Sequence, residues 1–158
     1  MSPAQARFAI RPMASPHRDA WLRMRSTLWP DASPHELLAE IDAFLARGSA
    51  RQLDAVFVAT AIDDPSDAVG FVELSIRSFA EGCVGERVAY VEGWFVEPGR
   101  RGHGIGRALI EAGERWAGAQ RCHELASDAE LDNGLSQAAH EALGFVETSR
   151  IVNFRKPL

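Results

Sequence analysis

Two cysteines in 158 residues, Cys83 and Cys122, are too few for a disulfide framework and lack the spacing of metal ligands. Reduced thiols fit a cytoplasmic protein, and no metal is implied. No apolar run is long enough to span a membrane, and no signal-peptide pattern opens the chain. Repeats and low-complexity segments are missing too. Positive charge is not in excess: the formal net charge is −5. That argues against bulk nucleic-acid binding and leaves room for a cationic ligand. No GxxxxGK[ST] run occurs, so a P-loop is excluded. What remains is ordinary for a globular protein, 46% hydrophobic and 25% charged, with a length that suits one domain over residues 1–158.

One stretch organises the chain, Val88 to Gly118, VAYVEGWFVEPGRRGHGIGRALIEAGERWAG. Its first part is β-branched and aromatic and predicts a strand. Glu97-Pro98-Gly99 ends that strand, since proline donates no ladder hydrogen bond. Ile105, Leu109, Ala112 and Trp116 then recur at helical spacing, and Gly118 is a candidate C-cap. Between the two lies Arg100-Arg101-Gly102-His103-Gly104-Ile105-Gly106-Arg107. Alternating glycines let the backbone come close to a ligand. The first amides of a helix have no intrahelical acceptor and carry the positive end of its dipole. With three arginines added, this is a site for a pyrophosphate.

The remaining pattern predicts strands at Phe8–Pro12, Leu53–Thr60, Ala68–Arg77, Arg121–Asp128 and Ile151–Lys156. It predicts helices after Ser15-Pro16, over Ser33–Gly48 with a Ser33/Glu36 capping box, and from Asn133 to a Gly144 C-cap. Leu135, Ala138, Ala139 and Leu143 would face inward on the last helix. Strand alternation puts Tyr90, Glu92 and Trp94 on one face and Val91, Gly93 and Phe95 on the other. Gly93, in mid-strand, fits a bulge or a close approach.

Two carboxylates are candidates for chemistry. Glu92 is costly if buried alone, so it is either salt-bridged or faces a polar cleft, and the cleft is the preferred reading. Asp128 falls at the carboxyl end of a strand, where open α/β sheets bind ligands, although it could instead cap the following helix. Trp29, just past a helix end, is either core packing or a rim aromatic for a sugar or cation. Phe79 is a loop aromatic that lies over the pocket, serves as an interface residue, or packs as a loop tip on its own domain.

The run RGHGIG fits the [RQ]xxGx[GA] signature and resembles the acetyl-CoA turn of the GNAT acetyltransferases. LGF after a short helix is similar to that superfamily as well. The resemblance implies an α/β (α+β) fold with a mixed, mostly antiparallel sheet flanked by helices and a strand splayed at the acetyl-CoA site. It implies that Arg101, Gly102, His103, Gly104, Ile105, Gly106 and Arg107 hold the pyrophosphate, that Trp94, Phe95 and Val96 take the pantetheine, and that Asn133 touches CoA. Where many GNATs carry a tyrosine before LGF, this chain has His140, read here as a helix-surface residue.

A narrower resemblance covers nearly the whole chain. Leu28-Trp29-Pro30, Ser75-Ile76-Arg77, Val91-Glu92-Gly93-x-Phe95-Val96, Ala126-Ser127-Asp128, Ser136-Gln137, Ala142-Leu143-Gly144-Phe145 and Arg155-Lys156 are similar in order and spacing to the aminoglycoside 6′-N-acetyltransferases. Carried over by position, Trp29, Phe79, Glu92 and Asp128 line the aminoglycoside pocket, with Glu147 and Ser149 near a further contact, and a homodimer is implied. Chemistry agrees. Ammonium groups call for carboxylates. An amine with a pKa of about 10.4 must lose a proton before it attacks a thioester, to Asp128 or Glu92, directly or through a water. An amide N–H of Phe95 or Val96 would face the oxyanion. Another amine as acceptor, such as a polyamine, small metabolite or protein amino group, and a non-catalytic acyl-CoA-binding module are the alternatives.

Overall fold

The computed structural model describes residues 8–48, 50 and 52–158. Strands β1 (Phe8–Pro12), β2 (Ala55–Ala61), β3 (Ala68–Arg77), β4 (Val88–Val96) and β5 (Leu125–Ala126) form one sheet in chain order. The first four pair antiparallel. β5 runs parallel to β4, because helix α3 (Ile105–Ala119) crosses between them. This is the mixed, mostly antiparallel sheet that the resemblance implied.

Two apolar layers hold it together. On one face, Trp21 and Met24 of α1 (Arg18–Leu28) and Ile41 and Phe44 of α2 (Pro34–Arg47) pack on Val56, Val58, Phe71 and Phe95. On the other, Leu109 and Ile110 of α3 meet Val72, Leu74 and Val91. Helix α2 stops at Gly48, whose left-handed φ of 72° is the conformation glycine adopts without strain.

The feature that positions the site is a bulge. Glu73 pairs with Gly93, but Leu74 pairs with Val91, so Glu92 is an extra residue on β4. The expected alternation of Tyr90, Glu92 and Trp94 on one face is therefore corrected. Val91, Trp94 and Val96 pack with the α3 layer, while Phe95 packs under α1 and α2. Glu92 and Gly93 both face the α1–α2 side, with Glu92 bonded to Ser75 and Gly93 under Trp29. A side chain at Gly93 would meet Trp29 Cη2 at 2.7 Å, which is the close approach its position suggested.

Other expectations are revised. The strand expected over Arg121–Asp128 is only Leu125–Ala126, because β4 turns away at the bulge after Tyr90 and leaves β5 little to pair with. Ile151–Lys156 is not a strand. No described strand pairs with it, and alternation in a sequence cannot supply a partner. Ser15 opens a 3-10 turn, Ser15–His17, ahead of α1, with Ala14 at its cap. The Ser33 hydroxyl makes no capping bond. Helix α3 runs through Gly118 to Ala119. In helix α4 (Gly134–Ala142), Leu135 and Ala138 face outward, whereas Ala139 and Leu143 are half-buried. Gly144 does take a positive φ of 90°, with the Phe145 N–H returning to His140 O.

Candidate active site

The turn before α3 is built from backbone. Gly102 and Gly104 take φ values of 78° and 82°, and open space lies where a side chain would project from either. Gly104 is the N-cap of α3, and no side chain caps that first turn. Its amides are left for an anion, as a pyrophosphate requires. Arg100, Arg101, His103 and Arg107 are exposed around them, while the Ile105 side chain is buried in the core. Arg101 Nε donates to Val96 O at 2.9 Å, which ties the turn to the end of β4. Asn133 caps α4, its Oδ1 accepting from the Ser136 N–H at 3.1 Å.

Strand β4 is open beside this turn. β5 reaches only Ala89 and Tyr90, so among the described residues Val91–Val96 has no partner strand on that edge. The Glu97 N–H bonds to Val69 O across the sheet, at 2.9 Å. Backbone groups alternate along a strand, so the Phe95 N–H points the same way, toward β3, and those of Trp94 and Val96 point to the open edge. The Arg101 bond to Val96 O agrees. Of the two amides named for an oxyanion, the structure presents that of Val96. The bulge sets this parity: the Ala89 N–H faces β5, and an unbulged strand would have turned Phe95 outward.

Below α1 and α2 lies a cavity of about 220 Å³ lined by Arg25, Trp29, Glu40, Glu73 and Glu92 among others. Glu73 is 1% exposed. Its Oε1 accepts from Trp21 Nε1 at 2.7 Å and lies 2.8 Å from Arg25 Nε. The Arg25 N–H is off the line to that oxygen, so this is an ion contact and not a well-aligned hydrogen bond. Burial outweighs Arg25 and pushes the Glu73 carboxyl up to about 7. The Arg25 guanidinium lies over Trp21 and Trp29, 5.6 and 5.2 Å from their ring centroids, and donates to Glu40 at 2.8 Å. Trp29 is thus both packing and cavity wall.

Glu92 is salt-bridged and faces the cavity, so both of its readings hold. Arg77 grips it with two bonds, Nε to Oε1 at 2.9 Å and Nη2 to Oε2 at 2.7 Å, and the Ser75 hydroxyl donates to Oε1. Asp128 is exposed, does not line the cavity, and accepts from the Tyr90 hydroxyl at 2.9 Å. Phe79 is 64% exposed on the loop after β3. Glu147 and Ser149 are exposed near the chain end, and Arg150 occupies both Glu147 oxygens. None of these three lines the cavity. His140 is half-buried, which corrects its expected surface role. Its Nδ1 donates to Ser136 O at 2.7 Å, so Nε2 accepts from the Ser127 hydroxyl, and its ring meets Trp94 and Phe145 edge-on.

Arg25, Glu73, Arg77 and Tyr90 were missed as site residues. The available signal was Glu73 itself, the one charge amid the apolar run AVGFVELSI of β3.

Residues 18–145 match the Acetyltransferase (GNAT) family. The chain belongs to that family. As a GNAT acetyltransferase it uses acetyl-CoA, and the open glycine turn and unpaired β4 edge fit that co-substrate. The chain is 46% identical over 149 residues to an aminoglycoside N(6′)-acetyltransferase type 1 from Klebsiella aerogenes, covering 94% of this chain and 96% of that one. Its Salmonella typhimurium counterpart is 39% identical, with 93% and 97% covered. Among solved structures, AAC(6′)-Iy with the bisubstrate analogue CoA-S-monomethyl-acetylneamine matches with a TM-score of 0.84 at 38% identity, over 96% of this chain and 99% of that one. Among the described residues, no helix is long and apolar enough to cross a membrane.

Proposed function

We propose that this GNAT enzyme transfers the acetyl group of acetyl-CoA to the 6′-amino group of an aminoglycoside, by direct attack with both substrates bound. The observation that carries this reading is the cavity under α1 and α2, with Glu40, Glu73 and Glu92 in its wall around Arg25 and Trp29 above Gly93. Ammonium groups are what such a wall recognises. The relatives' names agree: they are aminoglycoside N(6′)-acetyltransferases.

Each residue then has a part. The amides of Gly102 to Arg107 hold the pyrophosphate, and β4 from Trp94 to Val96 lines the pantetheine arm. Co-substrate binding supplies the acetyl group as a thioester. Glu92, already gripped by Arg77, anchors a substrate ammonium. Asp128, with Oδ1 outside the described hydrogen bonds, takes a proton from the attacking amine. The amine nitrogen bonds to the acetyl carbon, the Val96 N–H meets the developing oxyanion, and the carbon–sulfur bond breaks to release the CoA thiol after protonation. The chain acts as one domain in the cytoplasm. It pairs with a second copy, a reading supported by the exposed apolar side chains of Ile151, Val152 and Phe154 on an irregular segment outside the sheet.

Thiol release from acetyl-CoA tests the reaction, with kanamycin and tobramycin as 6′-amines, a 6′-hydroxyl analogue, spermidine and a lysine peptide. Turnover with the 6′-amines and none with the hydroxyl analogue is expected. Turnover confined to spermidine or the peptide would reassign the acceptor. Silence throughout, with CoA still raising Tm, would make the protein a binding module. Asp128→Asn should lower kcat/KM at least tenfold, about 1.4 kcal/mol of transition-state stabilisation.

A further inference from the structure

Asp128 lies just past the end of β5, on a stretch with no ladder bonds to hold it. Its carboxylate is nonetheless oriented. Tyr90, the single tyrosine of the chain and 8% exposed, donates its hydroxyl to Oδ2 at 2.9 Å. Oδ1 receives none of the described hydrogen bonds. The Tyr90 ring is pinned in turn, since the Arg77 guanidinium lies over it with Cζ 3.5 Å from the centroid. The fork of the same guanidinium holds Glu92. One arginine–tyrosine stack thus braces both carboxylates, Glu92 on β4 and Asp128 on the stretch after β5. Burial and the Asp128 contact push the phenol well above its ordinary value, so it keeps its proton and remains a donor.

We infer that Tyr90 is a positioning residue for acetyl transfer: it occupies Asp128 Oδ2 and leaves Oδ1 aimed for the acceptor amine. This rests on the reading of Asp128 as the proton acceptor. A base must lie within hydrogen-bond reach of the proton it removes, and small misplacements are expensive in rate. Without the hydroxyl, an exposed carboxylate on an unpaired stretch is free to turn.

The test is steady-state kinetics with kanamycin for the wild type, Tyr90→Phe, Asp128→Asn and the double variant. Phenylalanine keeps the ring beneath Arg77. It should lower kcat about five- to tenfold, with the KM for acetyl-CoA unchanged, because positioning acts on the step and not on donor binding. In the Asp128→Asn background the same change should cost less than about twofold, the signature of two residues acting as a unit. Wild-type kcat in Tyr90→Phe beside a crippled Asp128→Asn overturns the inference and leaves the base assignment standing. An equal loss in both backgrounds also overturns it, by assigning Tyr90 to packing. Full activity in Asp128→Asn overturns the assignment on which it rests.

Discussion

The turn at residues 100–107 and the cavity under α1 and α2 handle charge in opposite ways. The turn offers the positive end of a helix, with open space at Gly102 and Gly104 and no side chain capping its first amides. The cavity is walled by ionisable side chains that are partly buried and already committed to one another. Glu73 holds Arg25 and Trp21, and Glu92 holds Arg77 and Ser75. The first arrangement costs little to fold, because amides at a helix start are unpaired anyway. The second desolvates carboxylates before any substrate arrives. The turn is therefore local in sequence and nearly independent of its surroundings. The cavity wall is a property of the packed sheet.

The comparison is tested most sharply at Glu73. Its folded pKa of about 7 lies above the ordinary 4.5. The folded state thus keeps a proton that the unfolded chain gives up between those values, and stability falls as pH rises from about 4.5 through 7. Glu73→Gln cannot titrate and keeps the acceptor for Trp21. It should gain about 2 kcal/mol on the wild type between pH 5 and pH 8, since each pH unit crossed below the folded pKa is worth about 1.4 kcal/mol. Chemical denaturation at both pH values reads the gap. A constant gap would mean that Arg25 keeps the carboxylate ionised throughout.

The next effect belongs to the turn. Gly104→Val forces a branched residue into a left-handed conformation, worth about 1–2 kcal/mol or more, and fills the open space. The KM for acetyl-CoA should rise at least about tenfold while that for kanamycin stays put. A rise in both would merge the two regions that the structure separates. Smallest is Arg77→Lys. Lysine cannot fork onto Glu92 or set a guanidinium over Tyr90. The expected result is about a threefold rise in the KM for kanamycin with acetyl-CoA unaffected, consistent with one lost charged hydrogen bond at a half-exposed site.

The same division explains what could be read before folding. The turn was legible because its glycines, arginines and flanking periods are contiguous. The strands from Phe8 to Val96 were legible because each is longer than its errors. Glu92 and Trp29 were legible as residues out of place, a carboxylate in a strand and a tryptophan past a helix end. Arg25, Arg77 and Tyr90 were not, since an arginine on a helix or at a strand end reads as solvated surface until a partner from another element arrives. Glu92 as the bulged residue was also beyond reach. Gly93 hinted at a local irregularity, but the parity of the following residues is decided by pairing with β3. The shortness of β5 follows from that same bend.

That single inserted residue also divides β4 for the purpose of change. Before it, Tyr90 and Glu92 share their side of the sheet with Ser75 and Arg77. After it, Trp94 and Val96 pack on α3. A library restricted to positions 73, 77, 90 and 92 would redraw the choice of amine while leaving the thioester cradle untouched. Deleting one residue at the bulge would instead invert every position from 93 onward and lose both at once.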